Sequence, residues 1–333
     1  MQYPLQKQTI FITGGTGSWG QELTLQLLSG YKPKEIRIYS RGEHKQVEMG
    51  RTFSGHPISF IIGDIRDVSR LSMAMRGADI VFHLAALKHV PVCENNPWEA
   101  VQTNIIGTQR VIESAVANNV KKVIYVSSDK AVDPFNLYGA TKSCGEQLIL
   151  DANKHHTTRF ICVRAGNVIG TNGSVVPLFR EQARAGKDLT ITDNRMTRFF
   201  IRKQDAIKLL IKAAQEGQGN EILVMKMPAC KITDIAAVFS KRFSNNKIKT
   251  RCIGIRPGEK HFEILVSQYE IPYTYDLGSY FLIAPPNNMA TSIDVYKKMG
   301  SKQTLTEEYS SHNAKTLTHK EIEELLEKDG WLT

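Results

Sequence analysis

The sequence predicts an α/β protein with a Rossmann-type, doubly wound parallel sheet and a smaller mixed α/β lobe. The first observation behind this prediction is that apolar runs and amphipathic helical segments alternate from residue 8 to about residue 155, which is typical of a mostly parallel sheet. The second is a glycine triplet, Gly14, Gly17 and Gly20, directly after the first apolar run. Rossmann-type folds bind a dinucleotide at such a turn.

The regular alternation ends near residue 168, and this sets the predicted domain organisation. Residues 1–168 form the Rossmann domain, which segments near residues 203–225 complete. Residues 169–290 form an interleaved substrate-binding lobe over the carboxyl ends of the strands. Residues 291–333 form a tail with a terminal helix from about Thr318, where Thr-His-Lys-Glu makes a capping box.

Composition and charge narrow the class of protein. Hydrophobic residues make up 41% and charged residues 23% of the 333 residues, as in an ordinary globular protein. The net charge is +10, but the basic residues are spread along the chain, which favours a polyanionic small substrate over nucleic acid. No apolar run approaches the roughly 18 residues of a membrane helix, so we expect a cytoplasmic protein without a membrane anchor.

The five cysteines are far apart in the sequence and include no C-x-x-C pair. Neither a zinc site nor a disulfide framework is therefore indicated, and no metal site is predicted. The cysteines are expected to be reduced thiols, several of them packed in the core.

The first strand, Gln8–Thr13, leads directly into the glycine turn, and the helix Gln21–Ser29 follows. Glycines let the turn tighten, let the backbone approach a pyrophosphate and let the helix pack closely on the sheet. The residues of this turn predicted to bind the cofactor are Gly14, Thr16, Gly17, Ser18, Trp19 and Gly20.

The second strand, Glu35–Ser40, indicates which nicotinamide cofactor is bound. NAD sites usually carry an acidic residue here, which accepts the ribose hydroxyls. This strand instead ends at Ser40-Arg41, and Lys45 follows a turn later. A hydroxyl, a guanidinium and an ammonium suit a 2′-phosphate, which a carboxylate would repel. The predicted cofactor is therefore NADP.

Small and polar residues follow the third and fourth strands, Ile58–Gly63 and Asp79–Ala86. The residues at these strand ends that we expect to contact the cofactor are Asp64, Ile65, Ala85, Ala86 and Lys88. Lys88 and His89 also point a charge and a ring into the cleft, where they are predicted to contact the substrate. His83 lies inside the apolar strand and is predicted to be a core histidine with satisfied hydrogen bonds.

Amphipathic helices are predicted on either side of the fourth strand, at Asp67–Arg76 and Trp98–Asn118. Further elements are expected from residue 159 onward. They are a strand at Arg159–Val168, a helix from Val175 to about Ala185, strands at Leu189–Thr192 and Thr197–Ile201, a helix at Lys203–Gln215 and a strand at Glu221–Met225.

Four side chains near the fifth strand, Lys122–Val126, are the predicted catalytic residues. Asp129 and Lys130 follow the strand as a candidate acid and base, and Tyr138 and Lys142 lie on one face of the next helix. Free tyrosine titrates near 10, so a phenolate at neutral pH needs roughly 4 kcal/mol of preferential stabilisation. The Lys142 ammonium and a cationic nicotinamide ring could supply it, so both helix residues are also predicted to contact the cofactor.

These motifs together resemble the extended short-chain dehydrogenase/reductase family, and within it the inverting UDP-N-acetylglucosamine 4,6-dehydratases of bacterial surface-sugar biosynthesis. The most specific segments are Ser-Ser-Asp-Lys-Ala, Leu-Tyr-Gly-Ala-Thr-Lys, Arg-Met-Thr-Arg-Phe and Gly-Ile-Arg-Pro-Gly-Glu-Lys. Relatives of the dTDP-glucose type carry Asp-Glu where this chain has Asp129-Lys130. Larger, membrane-anchored relatives that retain the configuration at C5 usually have Met in place of Tyr138. Ser128 stands where many members outside this branch have threonine.

The resemblance implies how the substrate is held. It implies a UDP-sugar substrate, and it implies a homo-oligomer built from dimers, such as a hexamer. The arginines would contact phosphate, and Glu259 would contact ribose or uracil. The residues predicted to bind the substrate are Lys88, His89, Asn167, Val175, Arg198, Arg256 and Glu259.

The chemistry expected from these residues is a redox-neutral loss of water. Tyr138 takes the proton of the C4 hydroxyl while hydride leaves for NADP⁺, and Lys130 then removes the acidified C5 proton, provided that its pKa is lowered. Asp129 protonates the departing C6 hydroxyl, and hydride returns to C6. Two alternatives stay open: an NADP-dependent sugar epimerase or reductase on the same fold, and a non-catalytic NADP-binding sensor.

Overall fold

A computed structural model describes residues 4–171, 173–284, 295–296 and 302–333. Parts of the predicted lobe and tail, at residues 172, 285–294 and 297–301, lie outside the described residues. The strands are β1 (Thr9–Thr13), β2 (Glu35–Ser40), β3 (Ile58–Ile62), β4 (Ile80–His83), β5 (Lys122–Val126), β6 (Arg159–Arg164), β7 (Asn167–Val168), β8 (Leu189–Ile191), β9 (Thr197–Ile201), β10 (Glu221–Met225), β11 (Ala229–Lys231), β12 (Thr250–Cys252), β13 (Ile264–Val266), β14 (Thr274–Asp276), β15 (Tyr280–Ile283) and β16 (Tyr309–Ser310).

The helices lie between and beyond these strands. They are α1 (Ser18–Gly30), α2 (Glu43–Thr52), α3 (Val68–Met75), α4 (Val90–Asn95), α5 (Pro97–Val101), α6 (Gly107–Ala117), α7 (Leu137–Ala152), α8 (Val175–Arg184), α9 (Lys203–Glu216), α10 (Ile232–Ser244) and α11 (His319–Lys328). Within the described part of the chain, no helix is long and apolar enough to cross a membrane.

The central sheet has nine strands in the order β14-β15-β10-β6-β5-β4-β1-β2-β3. The strands from β3 to β10 in this order run parallel, whereas β15 is antiparallel to β10 and β14 is antiparallel to β15. The chain turns to opposite sides of β1 to form β2 and β4, so a cleft opens at the carboxyl end of β1. The predicted doubly wound parallel sheet is confirmed.

Apolar side chains cover both faces of this sheet. Residues such as Val111 and Ile149 of α6 and α7 pack on one face, and residues such as Leu27 and Leu210 of α1 and α9 pack on the other. A separate cluster around Phe179 joins α8, α10 and α11 in the smaller lobe. The two units interleave more than predicted, because β14 and β15 join the central sheet and α11 packs in the lobe.

Several element boundaries differ from the sequence expectation. The predicted helix Trp98–Asn118 runs as α5, a π-helical segment at Gln102–Ile106, and α6. The predicted strand Arg159–Val168 is interrupted, since β6 ends at Arg164 and β7 pairs with β9. Helices α2 and α4 were not predicted. All five cysteines are free and three are buried, as expected.

A buried ion cluster fastens α7 to the segment that precedes β14. The guanidinium of Arg164 lies 2.6 Å from the Glu146 carboxylate and 2.8 Å from that of Glu270, and it also donates to the Leu265 carbonyl. Burial alone would lower the pKa of Arg164, but the two carboxylates outweigh burial and raise it. The cluster therefore joins the helix of Tyr138 to the second half of the chain.

Replacing Arg164 by glutamine should leave two carboxylates without their cation and lower the free energy of unfolding by about 3–5 kcal/mol. Urea denaturation followed by circular dichroism measures this loss. Arg159→Gln is the matched control on the same strand, because Arg159 is exposed and its loss should cost about 0.5 kcal/mol or less. Equal losses in the two variants would contradict the structural role of the cluster.

Candidate active site

The glycine turn forms one wall of the cleft at the end of β1. Gly14 has a φ of +67°, and a Cβ atom there would lie 2.8 Å from the Ala85 backbone. A Cβ atom at Gly20 would lie 2.2 Å from the Gly15 carbonyl oxygen. Helix α1 begins at Ser18, three residues earlier than predicted, and Gly17 caps it without a side-chain hydrogen bond. Its first backbone N–H groups can therefore bind a pyrophosphate.

A buried hydrogen-bonded chain supports the floor of this cleft. The ring of His83 lies 2.8 Å from Thr13 Oγ1 through Nδ1 and 3.1 Å from Thr108 Oγ1 through Nε2. Burial, with a smaller effect of the Lys142 charge, lowers the pKa of His83 to about 3. The predicted core histidine with satisfied hydrogen bonds is confirmed.

Beyond β2 and β3, two cations face solvent, those of Arg41 and Lys45. Asp64 accepts two hydrogen bonds from Arg66 Nε and one from its NH2; burial opposes ionisation, but Arg66 lowers the pKa of Asp64. Arg41 lies farther away, 3.9 Å from the same carboxylate, and its side chain is 58% exposed. The hydroxyl of Ser40 accepts from the buried Gln46 amide. Lys45 is exposed on α2, so this edge can accept a phosphate group.

The π-helical segment positions the loop after β4. Buried Asn104 accepts from the Leu87 N–H and donates to the Leu87 carbonyl and to Thr141 Oγ1, each at 2.9 to 3.0 Å. Thr141 is on α7, so Asn104 fixes the Ala85-Ala86 turn against the helix that carries Tyr138. Ile65 also packs here, against Gly107.

Lys88 and His89 lie next, on the exposed side of the same loop. Burial of its stem lowers the pKa of Lys88, and burial together with the Lys88 charge lowers the pKa of His89. The His89 ring packs so closely on Gly173 that a Cβ atom there would lie 2.5 Å from the ring. The loop before α8, which begins at Val175, is thereby brought to the cleft.

Three polar contacts hold the first turn of α7. Asn136 accepts a hydrogen bond from the Gly139 N–H as the helix cap, and Glu94 accepts one from the Leu137 N–H. The Asn136 amide also donates to the Gly258 carbonyl at 2.9 Å. Tyr138 is therefore held in place by α4 and by the Arg-Pro-Gly-Glu turn of the lobe.

The expected effect of Lys142 on Tyr138 is not found. Lys142 Nζ donates to the Val126 carbonyl and lies 3.9 Å from the centre of the Tyr125 ring. Burial lowers the pKa of Lys142 to about 7. Burial raises the pKa of Tyr138, and a hydrogen bond with Ser128 and the charge of Lys130 oppose this rise. The cation that acts on the phenol is Lys130.

The expected lowered pKa of Lys130 is also wrong. Its Nζ lies 3.1 Å from Asp129 Oδ1 and 3.1 Å from Glu263 Oε1, and both carboxylates are about 2% exposed. Burial alone would lower the pKa of Lys130, but Asp129 and Glu263 outweigh burial and raise it. Lys130 is therefore held as an ammonium. Glu263 was missed because nothing in its local sequence marks it.

Arg198 joins this cluster instead of facing open space. Its Nε lies 3.6 Å from Glu263 Oε1, and its terminal nitrogens donate to the carbonyl oxygens of Thr197, Lys260 and His261. This arrangement differs from the open phosphate-facing arginine that the sequence suggested, because the guanidinium holds the segment before Glu263. A direct phosphate contact by Arg198 stays a prediction.

The exposed Arg256 and the half-buried Glu259 close a tight turn beside the cleft. The Arg256 N–H donates to the Glu259 carboxylate, and the Glu259 N–H donates to the Arg256 carbonyl. Lys260 extends from this turn to the carbonyl oxygens of Val132 and Asp133. The turn is thus fixed over the loop that leads from Lys130 to Tyr138. Half-buried Asn167 lies on β7, which pairs with β9.

The fold and the site define a Rossmann-type α/β protein whose candidate reactive side chains follow the fifth strand. The chain matches the model of the polysaccharide biosynthesis protein family over residues 10–285 and belongs to that family. It is 44% identical over 315 residues to a protein of Campylobacter jejuni subsp. jejuni serotype O:23/36 (strain 81-176) named UDP-N-acetylglucosamine 4,6-dehydratase (inverting), with 92% of this chain and 93% of the relative covered. The family resemblance drawn from the motifs is confirmed.

Two further relatives complete the comparison. A UDP-glucose 4-epimerase of Rickettsia bellii (strain RML369-C) is 43% identical over 326 residues, covering 96% of this chain and 95% of its own length. The X-ray structure of Pen from Bacillus thuringiensis has a TM-score of 0.89 at 37% identity, covering 98% of this chain and 100% of that one. The two curated relatives are named for different reactions, so the side chains of the site must distinguish them.

Because His83 is buried in its neutral form, we expect the folded protein to lose stability in acid. Its pKa is about 3 in the folded protein against a reference value of 6.5, so below the reference value the unfolded chain takes up a proton that the folded chain does not. Stability is therefore lost as the pH falls, by about 2 kcal/mol at about pH 5. Urea denaturation at about pH 7 and pH 5 should show this extra loss in the wild type but not in His83→Gln.

The matched control is His155→Gln, because His155 is exposed near the end of the loop before β6. This variant should lose stability in acid as steeply as the wild type. A His83→Gln variant with the wild-type dependence on pH would show that the ring is not kept neutral by burial.

Proposed function

We propose that the protein is an NADP-dependent UDP-N-acetylglucosamine 4,6-dehydratase that inverts C5 and yields a UDP-4-keto-6-deoxy-L-sugar. The observation that carries the proposal is the buried carboxylate of Asp129, which lies 3.1 Å from the half-buried ammonium of Lys130, in the same site as the buried Tyr138. A 4,6-dehydration needs one group for the C4 hydroxyl and a separate acid and base for C6 and C5. The product would serve bacterial surface-glycan or nonulosonic-acid biosynthesis.

The cofactor would lie along the edge built by the glycine turn and the ends of β2 to β5. When bound, NADP accepts a hydride from C4 of the sugar and returns it at C6, which makes the reaction redox-neutral. Ser40, Arg41 and Lys45 would hold its 2′-phosphate, because Arg66 already neutralises Asp64 and leaves Arg41 available. The remaining residues proposed for the cofactor are Gly14, Thr16, Gly17, Ser18, Trp19, Gly20, Asp64, Ile65, Ala85, Ala86, Lys88, Tyr138 and Lys142.

Tyr138 would take the proton from the C4 hydroxyl. Burial raises the pKa of this phenol, so the phenolate needs a positive charge close by. Lys130 supplies part of that charge, since its field lowers the pKa of Tyr138. Lys142, whose pKa burial lowers to about 7, can exchange a proton at neutral pH and so complete the base.

The raised pKa of Lys130 requires an internal proton transfer before the elimination. Lys130 Nζ gives a proton to Asp129 Oδ1, which leaves an amine beside a carboxylic acid. The amine then removes the C5 proton, the electron pair of that bond forms the C5–C6 double bond, and the C6–O bond breaks as Asp129 protonates the leaving oxygen. Lys130 is again an ammonium and Asp129 a carboxylate, so the elimination balances within the pair. After hydride returns to C6, a proton from solvent adds to the opposite face of C5 and inverts that carbon, and Tyr138 releases the C4 hydroxyl proton to solvent.

The substrate would bind between the loop after β4 and the lobe. By resemblance, Arg256 would contact the diphosphate and Glu259 the ribose or uracil, and the turn that carries them is fixed over the catalytic loop. The other residues proposed to bind the sugar nucleotide are Lys88, His89, Asn167, Val175 and Arg198. The same resemblance supports a homo-oligomer built from dimers.

The second candidate is a nucleotide-sugar epimerase, and the name of the Rickettsia relative supports it. Epimerisation at C4 uses hydride transfer and Tyr138, but it gives no role to a second acid and base. The contact between Lys130 and the buried Asp129 carboxylate therefore favours dehydration. A non-catalytic sensor would bind the cofactor without turnover.

Incubation with UDP-N-acetylglucosamine and catalytic NADP⁺ should give a product lighter by one water, with deuterium at C5 when the reaction runs in heavy water. Mass spectrometry and NMR identify the product. Lys130→Met should lower kcat by at least about 100-fold, because the C5 base is lost. Lys154→Met is the control, since Lys154 pairs with Asp151 at the surface and its variant should keep the wild-type kcat. A product with an inverted C4 and no loss of water would establish the epimerase instead.

Arg41→Ala should weaken NADP⁺ binding about 10-fold to 100-fold, because a charge-assisted hydrogen bond to the 2′-phosphate is lost. Binding of NAD⁺, which lacks that phosphate, should change by less than about twofold. Fluorescence titration gives both Kd values. Arg51→Ala, a control at the other end of α2, should bind both cofactors like the wild type. Equal weakening of both cofactors by Arg41→Ala would contradict the NADP assignment.

A further inference from the structure

Glu263 is a second carboxylate that contacts the Lys130 ammonium, in addition to Asp129. Its Oε1 is 3.1 Å from Lys130 Nζ, and its side chain is 2% exposed. The residue directly precedes β13, and its backbone exchanges hydrogen bonds with Ser311, through Ser311 Oγ at 3.0 Å and the Ser311 N–H at 2.8 Å. The pairing of β13 with β16 therefore positions the Glu263 carboxylate at Lys130.

The charges around Lys130 balance only when Glu263 is counted. Asp129 and Glu263 carry two negative charges, and Lys130 and Arg198 carry two positive charges. Tyr138 is the remaining titratable group that faces Lys130. Asp129 Oδ2 and Glu263 Oε2 are both buried and have no hydrogen bond within the described residues. An ion without its partner is costly at such a site. The carboxylates are held by Lys130 and Arg198, and Asp129 Oδ1 also accepts a hydrogen bond from the Ser128 hydroxyl at 2.9 Å.

We propose that Glu263 is a positioning residue for the proposed dehydration and that it acts through Lys130. It keeps the Lys130 amino group next to Asp129 and within reach of the sugar. It also stabilises the positive charge that returns to Lys130 as the C5 proton is removed. Glu263 itself keeps its charge throughout, so no bond to it forms or breaks. This inference rests on the proposed function, because it assigns a role in that reaction alone.

The direction in which Glu263 shifts the pH dependence of kcat follows from the Asp129–Lys130 pair. The Asp129–Lys130 pair must hold one exchangeable proton to work, and it loses that proton to solvent at high pH. Glu263 raises the pKa of Lys130, so it extends activity to higher pH. Without the carboxylate, the alkaline limb of kcat should move to lower pH.

The test is a comparison of Glu263→Gln with the wild type and with Glu270→Gln. The Glu263 variant should lower kcat by about 100-fold and change KM by less than about threefold, because the ground-state contacts of the sugar are kept. Oxidation at C4 uses Tyr138 and should continue, so reduced cofactor should accumulate in a single turnover and be seen by its absorbance. Glu270 pairs with Arg164 and not with Lys130; its variant should lower stability without accumulating reduced cofactor and without moving the alkaline limb.

Glu263→Asp provides the second variant. It keeps the charge but moves the carboxylate about 1 Å from Lys130, so kcat should fall by about 5-fold to 10-fold and the alkaline limb should stay in place. If Glu263→Gln does not fold, this variant decides the question, and a kcat within about twofold of the wild type overturns the proposal. A folded Glu263→Gln variant with wild-type kcat or an unmoved alkaline limb also overturns it. A wild-type protein that forms no dehydrated product refutes the proposed function and this inference with it.

Discussion

The rest of the site depends on one ammonium, that of Lys130, whose side chain is 23% exposed and which contacts the buried carboxylates of Asp129 and Glu263. Burying an ion costs several kcal/mol, and the cost is offset only when opposite charges meet it in good geometry. Asp129 comes from the loop after β5, whereas Glu263 comes from the strand region of the lobe. The lobe must therefore be packed on the sheet before the reactive lysine has its charge partners. The charge cluster of the site is therefore complete only when the lobe is packed on the sheet.

Two further contacts keep the lobe in register with the reactive loop. Lys260 donates to carbonyl oxygens of the loop between Lys130 and Tyr138, and Asn136 joins the cap of α7 to Gly258. The turn that contains Arg256 is thus joined to α7 and to the loop before it by side-chain hydrogen bonds to backbone carbonyl oxygens. A ligand held by that turn would draw on an arrangement that is already formed, which reduces the entropy lost when it binds.

The parts of the site that local sequence encodes were predicted well. The glycine turn, the apolar strands, the core role of His83 and the pairing of Tyr138 with Lys142 on one helix depend on residues close together in the chain or on a periodic pattern. The errors concern partners from distant parts of the chain. Lys130 was expected to have a pKa lowered by burial and by the nearby Lys142, but folding brings Glu263 to it. The contacts of Arg198 with the carbonyl oxygens of Lys260 and His261 were not predicted either, because these residues are far from Arg198 in the chain. The π-helical turn around Asn104 has no periodic signature, so one uninterrupted helix was expected.

The cost of the buried charges helps to choose between the two reactions named for the relatives. The charge cluster consists of four side chains, those of Asp129, Lys130, Arg198 and Glu263. A protein that needed only proton transfer at C4 could replace them by apolar residues, and such replacements are often neutral or stabilising. Proton transfer at C4 requires Tyr138 and no second pair. Elimination across C5 and C6 requires a base and an acid that are close enough to exchange a proton and are shielded from water. The Asp129 carboxylate is about 2% exposed and lies 3.1 Å from the Lys130 ammonium, whose side chain is 23% exposed, and this arrangement fits the proposed dehydration better than epimerisation.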